Sequence, residues 1–267
     1  MDDLHQPWLE DAKQRVRTST QLVPRVGIIL GSGLGGFAAQ VIADMTVPYS
    51  AIPGFPVSTA IGHKGQLTLG HFVGHPVAVL EGRFHLYEGY SADQVVRPVH
   101  LLKALGVEIL LATNAAGGLN PDYRVGDVVV VEDHVNMMWA KPRLGGAESS
   151  PGQFYDRDLV TRALAASRAA GVIPQSGVYV GMTGPNYETR AEYRWLRQIG
   201  DLVGMSTIPE VITARSLGMQ VLALSVVSNA CNPDWLEPTD GAHVVAAVAR
   251  AEGRIREIVR GVLDRGE

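Results

Sequence analysis

V26-G-I-I-L-G-S-G-L-G-G36 runs from a short apolar stretch straight into a glycine-rich loop. Val26–Leu30 has the length and character of a buried strand, and residues 31–36 match G-x-G-x-x-G. As a dinucleotide fingerprint, that loop needs an acidic residue about 20 positions further on to hold the ribose. Residues 51–56 read A-I-P-G-F-P, with no carboxylate and two prolines, which excludes a dehydrogenase. Two readings remain for the loop. One is a tight turn that uses glycine for positive φ; the other is a cradle of backbone N–H groups and the Ser32 hydroxyl for a bare phosphate. No G-x-x-x-x-G-K-[ST] occurs, so a triphosphate-binding P-loop is not expected.

Outward from this stretch, strand and helix signals alternate. A helix is expected from Trp8 to about Leu22, and strands at 66–72 and 76–80, joined through Gly74-His75 as a hairpin. Ser91 with Gln94 forms a capping-box signature for a helix that Gly106 ends. The strand 107–113 leads into N-A-A-G-G at 114–118, and 127–131 is the next strand. The stretch 139–153 is Gly-, Ser- and Pro-rich without periodicity and reads as a functional loop. Then come a helix (158–170), a strand (177–182), a helix (188–199), a short strand (202–205) and a helix opening at Pro209, with Ser206 or Thr207 as its cap. A strong strand (220–227) and one long amphipathic helix (242–263) complete the chain. The pattern predicts an α/β fold: one domain over residues 1–267, with helices flanking a mostly buried mixed sheet.

The chain has 267 residues, 46% apolar and 19% charged, enough for a sizeable core. Its net charge of −4 and pI of about 6.1 give no basic field for nucleic acid or anionic lipid. Of 23 basic residues, 19 are Arg, which suits anion contacts. A single cysteine, Cys231, excludes an intrachain disulfide and fits a reducing compartment. With no signal-peptide h-region and no apolar run long enough to span a bilayer, a cytoplasmic protein is expected.

The nonapeptide G82-R-F-H-L-Y-E-G-Y90 follows an apolar strand and sets Arg83, His85, Tyr87 and Glu88 at its end. In an extended segment Arg83, His85 and Tyr87 would share one face. Arg offers a planar fork of donors suited to phosphate, and His can donate to an anion or move a proton. The alternative is a strand end whose polar groups meet solvent. G-P-N-Y-E-T at 184–189 puts Tyr187 and Glu188 at a strand-to-helix junction, either as an aromatic face beside a carboxylate or as a helix-dipole carboxylate. S-N-A leaves the Asn229 amide at a strand's carboxyl end. His71 and His75 are four apart, but Gly74 and Pro76 argue against the helix that would pair them on a metal, so no metal site is expected.

Taken in order, G-S-G-L-G (31–35), G-H-K-G (62–65), G-R-F-H-L-Y-E-G-Y, T-N-A-A-G-G (113–118), D-H-V-N (133–136), G-P-N-Y-E-T and V-G-M-S-T-I-P-E-V (203–211) closely resemble the trimeric purine nucleoside phosphorylase family. The resemblance implies a central mixed, partly barrel-like sheet flanked by helices and a homotrimer. It also implies reversible phosphorolysis of purine nucleosides to free base and (deoxy)ribose 1-phosphate, a pentosyl transfer with phosphate as co-substrate and no cofactor. Carried over by position, it makes Ser32, His63, Arg83, His85, Ala115 and Ser206 the phosphate site. Tyr87, Met205 and His243 would meet the ribose, and Ala116, Tyr187, Glu188 and Asn229 the base, with His85, Glu188 and Asn229 catalytic.

The residue types agree with that chemistry. Phosphate is itself the nucleophile, so what remains is to position an anion and to stabilise a departing base. An ionised Glu188 accepts from N1–H of a 6-oxopurine but faces a lone pair at adenine N1, a mismatch of about 1–3 kcal/mol. The related methylthioadenosine phosphorylases typically carry Asp where this chain has Asn229. Inosine and guanosine, or their deoxy forms, are therefore the expected substrates. The alternatives are a 6-aminopurine or methylthioadenosine phosphorylase and a non-catalytic nucleoside binder. One departure stands out: after D-H-V-N the family usually carries a longer segment that sends an aromatic ring into the neighbouring subunit's site. Residues 137–155 are shorter and Gly-rich, with Phe154 and Tyr155 as the candidates for that ring.

Overall fold

The computed structural model describes residues 7–140, 142, 153–235 and 238–264. Helix α1 (Pro7–Arg17) leads to strand β1 (Val26–Ile29), and β2 (Ile42–Pro48), β3 (Gln66–Phe72) and β4 (His75–Glu81) follow. After α2 (Ala92–Val95) and α3 (Arg97–Leu105) come β5 (Ile109–Gly118), β6 (Val128–Asn136), α4 (Arg157–Ala169) and β7 (Gln175–Gly181). The last elements are α5 (Arg190–Leu196), β8 (Leu202–Gly204), α6 (Ile208–Ser216), β9 (Gln220–Ala230), α7 (Gly241–Ala249) and α8 (Glu252–Leu263).

The nine strands of the described residues join one mixed sheet in the order β2-β3-β4-β1-β5-β8-β7-β6-β9, and β9 pairs back onto β5. The pairing closes β5, β8, β7, β6 and β9 into a ring, with β1, β4, β3 and β2 as a wing, which is the partly barrel-like sheet expected. Alternate residues of the inner strands serve opposite faces. Ala78 and Leu80 of β4 pack with Ala12, Val99 and Val211 from α1, α3 and α6. Val77 and Val79 pack with Leu159, Val248 and Ile255 from α4, α7 and α8. Helices therefore cover both faces, and the continuous apolar runs of β1, β4 and β9 follow from that double burial.

Several expectations change, among them the one helix expected from Ser91 to Gly106, which is two helices, α2 and α3, meeting at Val96. The edge strand β2 was not anticipated. The strand expected over 107–113 does not stop before N-A-A-G-G: β5 runs through it to Gly118, paired with β9 as far as Gly118–Ala230. The long terminal helix is two helices, broken at Arg250–Ala251, where α8 starts without a side-chain cap. Glu188 precedes its helix, because Thr189 is the N-cap of α5 and forms a capping box with Glu192.

Candidate active site

A cavity of about 500 Å³ opens where the carboxyl ends of β5 and β9 meet the loops after β4, β7 and β8. Its first wall is the Gly-rich loop. A Cβ at Gly31 would lie 2.8 Å from the Asn114 Cα, so only glycine lets this loop lie against β5. The contact presents Ser32 to the cavity, its Oγ 3.3 Å from His63 Nε2.

Arg83 forms the deepest polar corner and is 2% exposed. Its Nε donates to Glu210 Oε1 at 2.9 Å and its Nη1 to the Thr113 carbonyl at 2.6 Å. Nη1 also lies 3.5 Å from the Ser206 hydroxyl. Nη2 is buried with no hydrogen-bond partner among the described residues, although Arg83 borders the cavity. A buried cationic donor left open in this way is a ready anion contact.

His63 and His85 flank this corner. Burial, reinforced by the neighbouring His85 and Arg83, pushes the His63 pKa down to about 3, so this imidazole is neutral at physiological pH. Burial also lowers His85, against the opposing effect of the hydrogen bond its ring makes to Glu88. Glu88 Oε1 takes both the His85 backbone N–H (2.8 Å) and Nδ1 (2.9 Å), while Oε2 takes the N–H and hydroxyl of Thr59. Burial alone would raise this carboxyl, but these hydrogen bonds outweigh it and hold the pKa at about 2. With Nδ1 donating to the carboxylate, His85 turns Nε2 outward as an acceptor or, once protonated, as a donor. The segment is not the extended run expected: β4 ends at Glu81 and Leu86–Glu88 form a 3₁₀ turn. Tyr87 instead stacks on His85, with centroids 4.5 Å apart.

At the other end stand Asn229, Glu188, Tyr187 and Cys231. Asn229 Oδ1 accepts from the Ser228 hydroxyl at 2.8 Å, and Nδ2 faces Cys231 Sγ at 3.7 Å, which fixes the amide's orientation. Burial raises the Glu188 carboxyl, with Glu192 adding to the rise, against hydrogen bonds from its own backbone and Tyr193. Burial also pushes the Cys231 thiol up to about 12. Met205 and Gly204 form the floor between the two ends.

The model of the phosphorylase superfamily matches residues 25–264. The chain belongs to the phosphorylase superfamily. It is 41% identical over 263 residues to purine nucleoside phosphorylase 1 of Bacillus subtilis, covering 96% of this chain and 97% of that relative. It is 39% identical over 265 residues to purine nucleoside phosphorylase of Bos taurus, covering 94% and 92%. The crystal structure of Schistosoma mansoni purine nucleoside phosphorylase in complex with adenosine matches with a TM-score of 0.90 at 36% identity, covering 99% of each chain. A schistosoma purine nucleoside phosphorylase in complex with hypoxanthine matches with the same score, identity and coverage. These relatives place this phosphorylase among the purine nucleoside phosphorylases.

Every site residue named from the sequence lines the cavity except His243. That histidine is exposed near the start of α7, its Nδ1 2.8 Å from Asp240, and its neighbours Gly241 and Val244 border the cavity instead. Phe154 and Tyr155 both contact His134 of their own chain. Tyr155 is buried with its hydroxyl 3.1 Å from His134 Nδ1, and Phe154 packs on the same imidazole. The rest of that segment, residues 141 and 143–152, lies outside the described residues. Three participants were not assigned from the sequence: Glu88 as the partner of His85, Glu210 and the Thr113 carbonyl. Glu88 had a signal in its i, i+3 spacing from His85; the other two are distant in sequence from Arg83.

Proposed function

We propose that this chain catalyses the reversible phosphorolysis of 6-oxopurine nucleosides, releasing the base and forming (deoxy)ribose 1-phosphate. The observation that carries the proposal is the open Nη2 of buried Arg83 at one end of a cavity whose other end presents Asn229 and Glu188. An anion site and a base-reading pair in one enclosure suit a nucleoside and phosphate together. The adenosine-bound and hypoxanthine-bound relatives support the nucleoside and base part of this reading only, so the phosphate role rests on Arg83, Ser32, His63, His85, Ser206 and the Ala115 backbone.

In this reading those groups hold phosphate under C1′, and Tyr87 and Met205 contact the ribose. As the glycosidic bond lengthens, positive charge grows on the sugar, which the bound anion stabilises, and negative charge grows on the purine. The Asn229 amide serves N7 and the 6-oxygen, and the Glu188 carboxylate accepts from N1–H. Rate enhancement then comes from positioning and from groups aimed at developing charge, with no protein nucleophile and no cofactor. Tyr187 is 43% exposed at the rim, and a homotrimer in which a neighbouring subunit covers that side completes the proposal. A cytoplasmic location suits the substrates; among the described residues no helix is long and apolar enough to cross a membrane.

The test is a phosphate-dependence assay across inosine, guanosine, adenosine, xanthosine and methylthioadenosine. Base release from inosine and guanosine that saturates with phosphate is expected. Equal release in phosphate-free buffer would mean a hydrolase, and a preference for methylthioadenosine would overturn the base assignment.

A further inference from the structure

We propose that Glu210 is a positioning residue for the phosphate step: it aims the Arg83 guanidinium so that Nη2 is delivered to the anion. The proposal rests on the phosphate role assigned to the Arg83 corner. Arg83 and Glu210 are each 2% exposed, and Glu210 does not border the cavity, so it acts through the arginine and not on the substrate. A guanidinium is a rigid plane. With Nε held by Glu210 Oε1 at 2.9 Å and Nη1 by the Thr113 carbonyl at 2.6 Å, the plane has no rotation left, and the direction of Nη2 is set. That nitrogen is the one the described residues leave without a hydrogen-bond partner.

The position of Glu210 in the fold fits this task. It lies in the first turn of α6, just after Ser206, whose hydroxyl faces Arg83 Nη1. The cap residue Thr207 takes φ +74, a strained value for a β-branched residue, and its hydroxyl accepts from Asn114 Nδ2 instead of capping the helix. One turn therefore carries both the serine at the cavity and the carboxylate behind the arginine. The second oxygen, Oε2, has no hydrogen-bond partner, so Arg83 is the sole group that the described residues show bonded to this carboxylate. The carboxylate also balances a cation that would otherwise be buried alone while phosphate is absent.

Two substitutions separate position from charge. Glu210→Asp keeps the charge but draws the oxygen back by about 1.5 Å, one C–C bond. Glu210→Gln keeps an acceptor at the Oε1 position and removes the charge. The expected result is a phosphate KM raised about tenfold or more in Glu210→Asp, with the nucleoside KM within about twofold of the parent. In Glu210→Gln the phosphate KM stays within about threefold. The rise in Tm that phosphate produces, taken against each variant's own phosphate-free Tm, is lost in the first and kept in the second, whatever the variants' absolute stability. Severe loss in Glu210→Gln with a mild effect in Glu210→Asp would assign the role to charge alone and overturn the proposal. So would both KM values rising together, or no change in phosphate dependence in either variant. If the parent itself shows no phosphate saturation, it is the function assigned to the corner that fails.

Discussion

The imidazoles of His63 and His85 lie nearly parallel, with ring centroids 5.3 Å apart and 16° between their planes. A proton on either would face the other ring and the Arg83 cation, and the site keeps His63 neutral down to a pKa of about 3. In the unfolded chain a histidine takes up its proton near the ordinary value of about 6.5. The stability that neutral His63 contributes is therefore fully present above that pH and is lost as pH falls from there toward 3. The slope is at most about 1.4 kcal/mol per pH unit for this one group.

Thermal unfolding between pH 7.5 and 4.5 checks this. The midpoint is expected to fall with pH in the parent and to fall less steeply in His63→Asn. Equal slopes in the two proteins would show that His63 does not carry the effect.

Glu188 predicts a pH-dependent choice of base. Its carboxyl is raised by burial, so it gains a proton at a higher pH than an exposed glutamate would. Protonated, it can donate to the lone pair at adenine N1, while its remaining carbonyl oxygen is a weaker acceptor for N1–H of inosine than the carboxylate is. The ratio of adenosine to inosine kcat/KM should rise as pH is lowered from 8 to 5.5. In Glu188→Gln, which cannot titrate, the ratio is expected to stay flat. A ratio independent of pH in the parent would mean that Glu188 does not read N1.

Asn229→Asp tests the other half of base recognition. Aspartate is acceptor-only when ionised, so it opposes the 6-oxygen and suits the exocyclic amine of adenine. Ser228, which already donates to position 229, can keep the new carboxylate in place. A shift in the adenosine-to-inosine kcat/KM ratio equivalent to about 1–3 kcal/mol is expected, limited by Glu188. An unchanged ratio in a folded variant would remove Asn229 from base recognition.

Gly117→Ala should separate the two ends of the cavity. A Cβ there would clash with Cys231 Sγ, so Cys231 must shift, and with it the sulfur that Asn229 Nδ2 faces. The nucleoside KM is expected to rise about tenfold, with the phosphate KM within about twofold. Gly35→Ala is the control, since a Cβ at Gly35 meets nothing within 4 Å. Comparable effects of Gly117→Ala on both substrates would mean that the ends are not independent.

Much of the sheet was legible because its inner strands are buried on both faces, and V26-G-I-I-L, P76-V-A-V-L and Q220-V-L-A-L-S-V-V announce themselves as apolar runs. β2 did not: Ile42 and Asp44 are exposed, and only Met45 and Val47 of its seven residues are buried. An edge strand of that composition looks like a loop. N-A-A-G-G was misread for the opposite reason. Asn and Gly disfavour strands by themselves, and here pairing with β9 overrides that preference. In the site, motif strings reached most cavity residues but not Thr59, Ala60, Ile61, Cys231, Gly241 or Val244. Glu210 stayed hidden because a glutamate in a first helical turn already has an ordinary explanation, and its partner is 127 residues away. The break at Arg250–Ala251 carries no cap, proline or glycine that the chain could have advertised.

β5 has hydrogen-bonded neighbours in β1, β8 and β9, so it can neither stretch nor hinge. Its Thr113 carbonyl anchors Arg83, and its Gly117 lies opposite Asn229. The four residue steps from one to the other span about 13 Å of strand. The strand is thus a gauge bar cut to one length, with the proposed anion clamp at one jaw and the proposed base clamp at the other. Side chains such as Tyr87 and Met205 can reshape the walls between the jaws, but they cannot move the jaws apart. A sugar one carbon longer would have to leave one clamp to sit in the other, and the molecule measures what it binds instead of moulding itself to it.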